Sequence, residues 1–113
     1  MPPESRGCRG GGFKGRRGSR RWVSHVPPKS LFVPEGVEEG DRESVVLSVA
    51  EVEALRLVDY LGLTQDDASF KMHVSRKTLW TDLQRARRKV VEALIHGKAI
   101  KIEEGNYILD EER

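Results

Sequence analysis

Cysteine and long apolar runs are both scarce in this 113-residue chain. Cys8 stands alone, so no internal disulfide can form, and it has no Cys or His neighbour at metal-ligand spacing. Stability must come from packing. No segment approaches the ~18 consecutive apolar residues of a membrane span, and the Arg/Gly-rich start has no apolar stretch behind it. Neither an anchor nor a secretory signal is expected, which points to a cytoplasmic chain with no membrane partner. No Ser/His/Asp, Cys/His or paired-carboxylate arrangement is readable. His25, His73 and His96 fall by the N-terminal arm, in a turn and at a helix end. The expectation is therefore no enzyme, no catalytic residue, no metal and no cofactor. With 34% charged and 37% hydrophobic residues, the chain has material for one small domain and a modest core.

The net charge of +2 conceals blocks of alternating sign: +7 over residues 1–30, −8 over 31–67, +7 over 68–101 and −4 over 102–113. Two cationic blocks separated by an acidic one suit a polyanion touched at two places, with the acidic middle turned away. Residues 1–21 carry six glycines, seven basic residues and one bulky apolar side chain, too little to offset the entropy of ordering them. They are expected to form a disordered basic arm, able to set Arg16, Arg17, Arg20 and Arg21 on phosphates.

Residues 22–47 are expected to be extended, with one or two short strands, since short apolar pieces alternate with Pro27, Pro28, Pro34 and Gly36. Helix signals begin at Ser48, where Ser48 and Glu51 make a capping-box pattern ahead of an apolar-periodic run; a helix over about 49–61 ending at Gly62 follows. Thr64, with Asp67, opens a short helix through about Met72, and Ser75 opens a long one that ends at Gly97. Beyond it, the alternation of AIKI and YILD around Glu104-Gly105-Asn106 predicts a β-hairpin over 98–109, before an acidic tail at 110–113.

Three caps within 28 residues define a helix, a short helix, a tight turn and a long helix, the pattern of a helix-turn-helix domain over 48–97. His73 occupies the turn position that favours positive φ, and a structural role for it is expected. At 100° per residue, Leu79, Leu83, Ala86, Val90 and Leu94 share one face of the long helix, while Lys77, Thr81, Gln84 and Arg88 lie opposite. The chemistry of the presented face suits duplex DNA. Lys donates to guanine, Gln pairs with adenine and Thr meets the thymine methyl, so Arg76, Lys77, Thr81 and Gln84 are expected to read bases. Ser75, Arg85, Arg88 and Lys89 are expected on phosphates, joined by the arm arginines. Trp80, on the border of the two faces, is expected to pack or to form an interface.

The segments EALRLVDYLGLTQDDAS, VSRKTLWTDLQRAR and GKAIKI carry a resemblance. The stretch from about Gly15 to Tyr107 resembles a small prokaryotic family of predicted DNA-binding proteins, domain of unknown function 134 (uncharacterised protein family 0251). That family's helix-turn-helix is similar to region 4 of sigma factors. The chain departs from it at His73, where glycine is usual, at Ser69, where alanine is usual, and in its Gly-rich first dozen residues. The resemblance implies a mainly α helix-turn-helix bundle with short N-terminal extended segments and a small C-terminal hairpin. It also implies a sequence-specific duplex-DNA-binding transcription regulator, expected to act as a homodimer because one short helix reads few base pairs. Two other readings stay open: RNA binding through the Arg/Gly arm with Trp22 stacking on bases, and a protein-interaction adaptor using the acidic block. Any small-molecule effector is unspecified.

Overall fold

The computed structural model describes residues 20–36 and 43–109. Its elements run in the order β1 (Arg21–Val23), β2 (Leu31–Phe32), β3 (Ser44–Ser48), α1 (Val49–Leu55), α2 (Gln65–Met72), α3 (Arg76–His96), β4 (Ala99–Glu103) and β5 (Tyr107–Leu109). A π-helical stretch, Arg56–Tyr60, continues α1.

The helices start and stop where side-chain chemistry dictates. Ser48 Oγ accepts from the Glu51 amide at 3.0 Å and Glu51 Oε1 accepts from the Ser48 amide at 2.9 Å, a complete capping box. Thr64 Oγ1 and Ser75 Oγ accept in the same way from the Asp67 and Thr78 amides, each at 3.0 Å. After Tyr60 the Leu61 amide returns to the Arg56 carbonyl at 2.8 Å, and Gly62, at φ +80°, takes the chain out of the helix.

Two sheets flank the helices, so the architecture is α/β and the expected mainly helical bundle is overturned. One sheet has the order β2-β4-β3, with β4 parallel to β3 (Val45 opposite Ile100, Leu47 opposite Ile102) and antiparallel to β2 (Phe32 opposite Ile100). In the other, β1 runs parallel to β5, with Trp22 opposite Ile108. The hairpin expected over 98–109 does not form. Its two strands exist, but β3 and β2 occupy both edges of β4, and backbone hydrogen bonding leaves no edge for β5, which pairs with β1 instead. Gly105, at φ +66°, turns the chain from one sheet to the other.

The main core comprises Ala50, Ala54 and Leu57 of the first helical run, Ala68 and Met72 of α2, and Leu79 and Leu83 of α3. Val45, Leu47, Ala93 and Ala99 are buried as well. The expected inner face of α3 holds for Leu79, Leu83 and Ala86, while Val90 is half-buried and Leu94 is 75% exposed. Successive four-residue steps advance 40° around a helix, so by Leu94 the stripe has rotated away from the core; Ala93 is the buried residue of that turn. Residues 1–19, where most of the expected disordered arm lies, and the 110–113 tail are outside the described residues.

Candidate nucleic-acid interface

The turn between α2 and α3 fixes the angle at which α3 is presented. His73 caps α2 in the left-handed region (φ 58°, ψ 42°), the one non-glycine residue with positive φ among those described. Its amide reaches the Phe70 carbonyl at 3.2 Å and the Val74 amide reaches that of Ser69 at 3.1 Å. The imidazole stacks on the Trp22 indole, with centroids 4.1 Å apart and planes 16° from parallel. A glycine would suit this backbone better but would have no ring to lay on β1, so the departure at His73 comes with a compensating contact. Trp22 thereby spends one aromatic face on a contact within the chain.

From Ser75 onward, α3 turns the base-reading candidates outward. Lys77 is exposed, and Thr81 and Gln84 are half-buried on the same side. Arg88 continues that line and is exposed. Neither Lys77 nor Arg88 has an ion-pair partner among the described residues. Arg76 is exposed and approaches the equally exposed Asp66 at 3.2 Å, a pair worth little in water. Arg85 lies on the flank, 3.9 Å from Asp82. Ser75 spends its hydroxyl on the cap, and Arg20 is exposed ahead of β1. Arg16 and Arg17 lie outside the described residues.

Two cations expected on phosphates instead hold the fold. Arg21 makes a forked contact with Asp82, Nε to Oδ2 at 3.0 Å and Nη2 to Oδ1 at 3.3 Å. Asp82 is only 5% exposed, so its charge requires that guanidinium. Lys89 Nζ donates to both carboxylate oxygens of buried Glu51, at 2.9 and 3.1 Å. These four residues and Arg85 line a polar cavity of about 410 Å³ behind α3. Position in the sequence carried a signal for this: Asp82 falls on the helical stripe between Leu79 and Ala86, and a carboxylate on a buried stripe needs a cation.

The acidic middle block is committed likewise. Glu53 accepts from the Ser24 amide and hydroxyl, each at 3.0 Å, and from Arg56 Nε at 2.9 Å. Burial raises the Glu53 pKa, but the bonds from Arg56 and Ser24 together outweigh it and hold the carboxyl below its ordinary value. Arg87 Nη2 and Nε grip Asp59 at 2.7 and 3.0 Å. Those hydrogen bonds lower Asp59 and raise Arg87. Among the described residues no group of three or more His, Cys, Asp or Glu is placed to hold a metal, and no helix is long and apolar enough to cross a membrane.

The molecule is thus a small α/β protein that presents one polar, cationic helix face from a rigid turn. By sequence it belongs to the family described as protein of unknown function DUF134, whose model matches residues 7–110. A UPF0251 protein of Methanosarcina acetivorans is 50% identical over 95 residues, covering 84% of this chain and 85% of its own. Another from Methanocella arvoryzae is 47% identical over 89 residues, 79% of this chain, and the chain spans about half (54%) of that relative's length. A bacterial relative, a UPF0251 protein of a Thermoanaerobacter species, is 45% identical over 92 residues, covering 81% of each chain. No solved structure matches.

Proposed function

We propose that this protein binds double-stranded DNA in a sequence-specific way and regulates transcription, with α2 and α3 acting as a helix-turn-helix like that of sigma factor region 4. The observation that carries the reading is the division of the first half of α3. Leu79, Leu83 and Ala86 are buried, and on the other side Lys77, Thr81, Gln84 and Arg88 form one line that opens onto solvent. A helix anchored on one side and polar on the other, entering N-terminus first, fits the major groove. Lys77, Thr81 and Gln84, with Arg76 at the first turn, meet base edges. Arg88 and Arg85, further along, meet phosphates together with Ser75, Arg20, Arg16 and Arg17. Arg21 and Lys89 contribute only by holding the scaffold.

Selection of bound sites from random duplex DNA, followed by titration over a range of salt, tests this. About five phosphate contacts give a slope of roughly −4 to −5 in log affinity against log salt. A defined site should emerge, preferred over duplex RNA and single strands at equal salt. No enriched site, or a flat salt response, would overturn the reading.

A further inference from the structure

The second half of α3 behaves differently from the first. Val91, Leu94 and Ile95 are spaced i, i+3, i+4 and form one apolar strip on the outside of the helix, with Leu94 75% and Ile95 69% exposed. A second exposed apolar run, Leu31-Phe32-Val33, lies in and just beyond the edge strand β2, where Phe32 is 54% exposed. The topology brings both to one end of the molecule. Phe32 sits opposite Ile100 in the sheet, and β4 begins at Ala99, three residues beyond His96, the last residue of α3.

We infer that this end of the molecule is where a second copy of the chain docks. The six residues, in two runs, together expose roughly 600 Å² per chain, most of the ~800 Å² each partner gives to a stable interface. The surrounding charges are of both signs and partly self-neutralised: Lys98 bridges Glu92 and Glu43. Such a rim suits a like surface related by a two-fold axis better than a polyanion or an anionic membrane. The geometry also joins this surface to the DNA reading, on which the operator part of the inference rests. Thr81 lies about 12 residues, or ~18 Å, from the centre of the strip, so two α3 helices meeting through their strips near their C-terminal ends put their Thr81 side chains on the order of 36 Å apart. That is one turn of duplex DNA, the spacing of paired half-sites.

Sedimentation equilibrium of the full chain without DNA, across the micromolar range, should show a species of twice the 12.8 kDa chain mass. Leu94→Glu should raise the dimer dissociation constant by on the order of a hundredfold, and the milder Ile95→Ser by on the order of tenfold. Circular dichroism should be unchanged for both, since neither side chain is buried in the monomer. Tyr60→Ser, at an equally exposed aromatic elsewhere, should leave association unchanged. On DNA, Leu94→Glu should keep its affinity for a single half-site and lose its preference for two. A wild-type chain that stays monomeric overturns the inference, as does dissociation by Tyr60→Ser but not by the folded Leu94 and Ile95 variants. Dimerisation only after residues 1–19 are deleted also overturns it, because the chain's own start would then be the occupant. A dimer that breaks as stated but selects no DNA site leaves this surface standing and removes the DNA reading alone.

Discussion

The two halves of α3 share one backbone and one period, yet they face opposite demands. The front half puts Leu79 and Leu83 inward and the line of Lys77, Thr81, Gln84 and Arg88 outward, with Trp80 half exposed between the two faces. In the rear half a small residue, Ala93, faces inward and Val91, Leu94 and Ile95 face outward. The difference follows from what lies behind each half. In front, Leu79 and Leu83 pack with Ala50, Ala54 and Leu57 of the first helical run and with Ala68 and Met72 of α2. Behind, the small Ala93 is the buried residue, Val90 is half-buried, and Val91, Leu94 and Ile95 lie at the surface. A hydrophobic residue on a helix therefore says that something will cover it, without saying whether the cover is this chain or another.

The sharpest way to break this contrast is to shorten leucine in the front half. Leu79→Ala or Leu83→Ala should cost about 2 to 5 kcal/mol, read by denaturant unfolding, because a cavity is left where three helices meet. A negligible loss would mean that the front half is not the anchored one. Next in size is the polar anchor that ties the end of β1 to α1. Glu53→Ala should cost about 2 to 3 kcal/mol by removing the carboxylate that accepts from the Ser24 amide and from Arg56 Nε and Nη2. The pH dependence has a definite sign. The folded Glu53 pKa lies below the ordinary value of 4.5, so its contribution is complete above that pH and is lost as the pH falls through the lower folded value. Acid unfolding of Glu53→Gln should accordingly be shallower than that of the wild type below about pH 4.5.

On the outer side of the front half, Lys77→Ala should weaken the preferred duplex by ~1 to 3 kcal/mol and random duplex by less, whereas Arg88→Ala should weaken both about equally. Competition binding separates the two, and identical profiles for the variants would reduce the helix to a non-specific grip. The smallest effect belongs to the rear half. In solution dilute enough to hold single chains, Leu94→Ala should change stability by less than ~0.5 kcal/mol, although it makes the same chemical change as Leu79→Ala on the same helix. A loss comparable to that of Leu79→Ala would show that Leu94 is covered by its own chain.

The local grammar of the helices was legible because it is written in adjacent residues. Ser48, Thr64 and Ser75 each satisfy amides three residues away, and Gly62 and Gly97 end helices through their own φ. The left-handed turn at His73 was equally legible, and its partner was not, since Trp22 stands 51 residues earlier in the chain. Charge shows the same division. Lys89 reads as part of a basic run with Arg87 and Arg88, but Glu51 claims Lys89 and Asp59 claims Arg87, which leaves Arg88 to face solvent. Of the expected phosphate contacts, Arg21 and Lys89 were the ones reassigned: each makes two hydrogen bonds to a buried carboxylate, and an unpaired charge away from water costs more than a surface contact returns.

By itself, then, the sequence determined the three caps, the order of helices, the polar outer line of Lys77, Thr81, Gln84 and Arg88, and the existence of strands near both ends. Each depends on periodicity or on bonds spanning three or four residues. Only the tertiary structure decided how the strands pair. A backbone edge accepts one partner: once β3 had come alongside β4, with Val45 opposite Ile100, and β2 had taken the other edge, the local turn at Gly105 could not close a hairpin. Its final strand was carried to β1, and the expected helical bundle became an α/β fold.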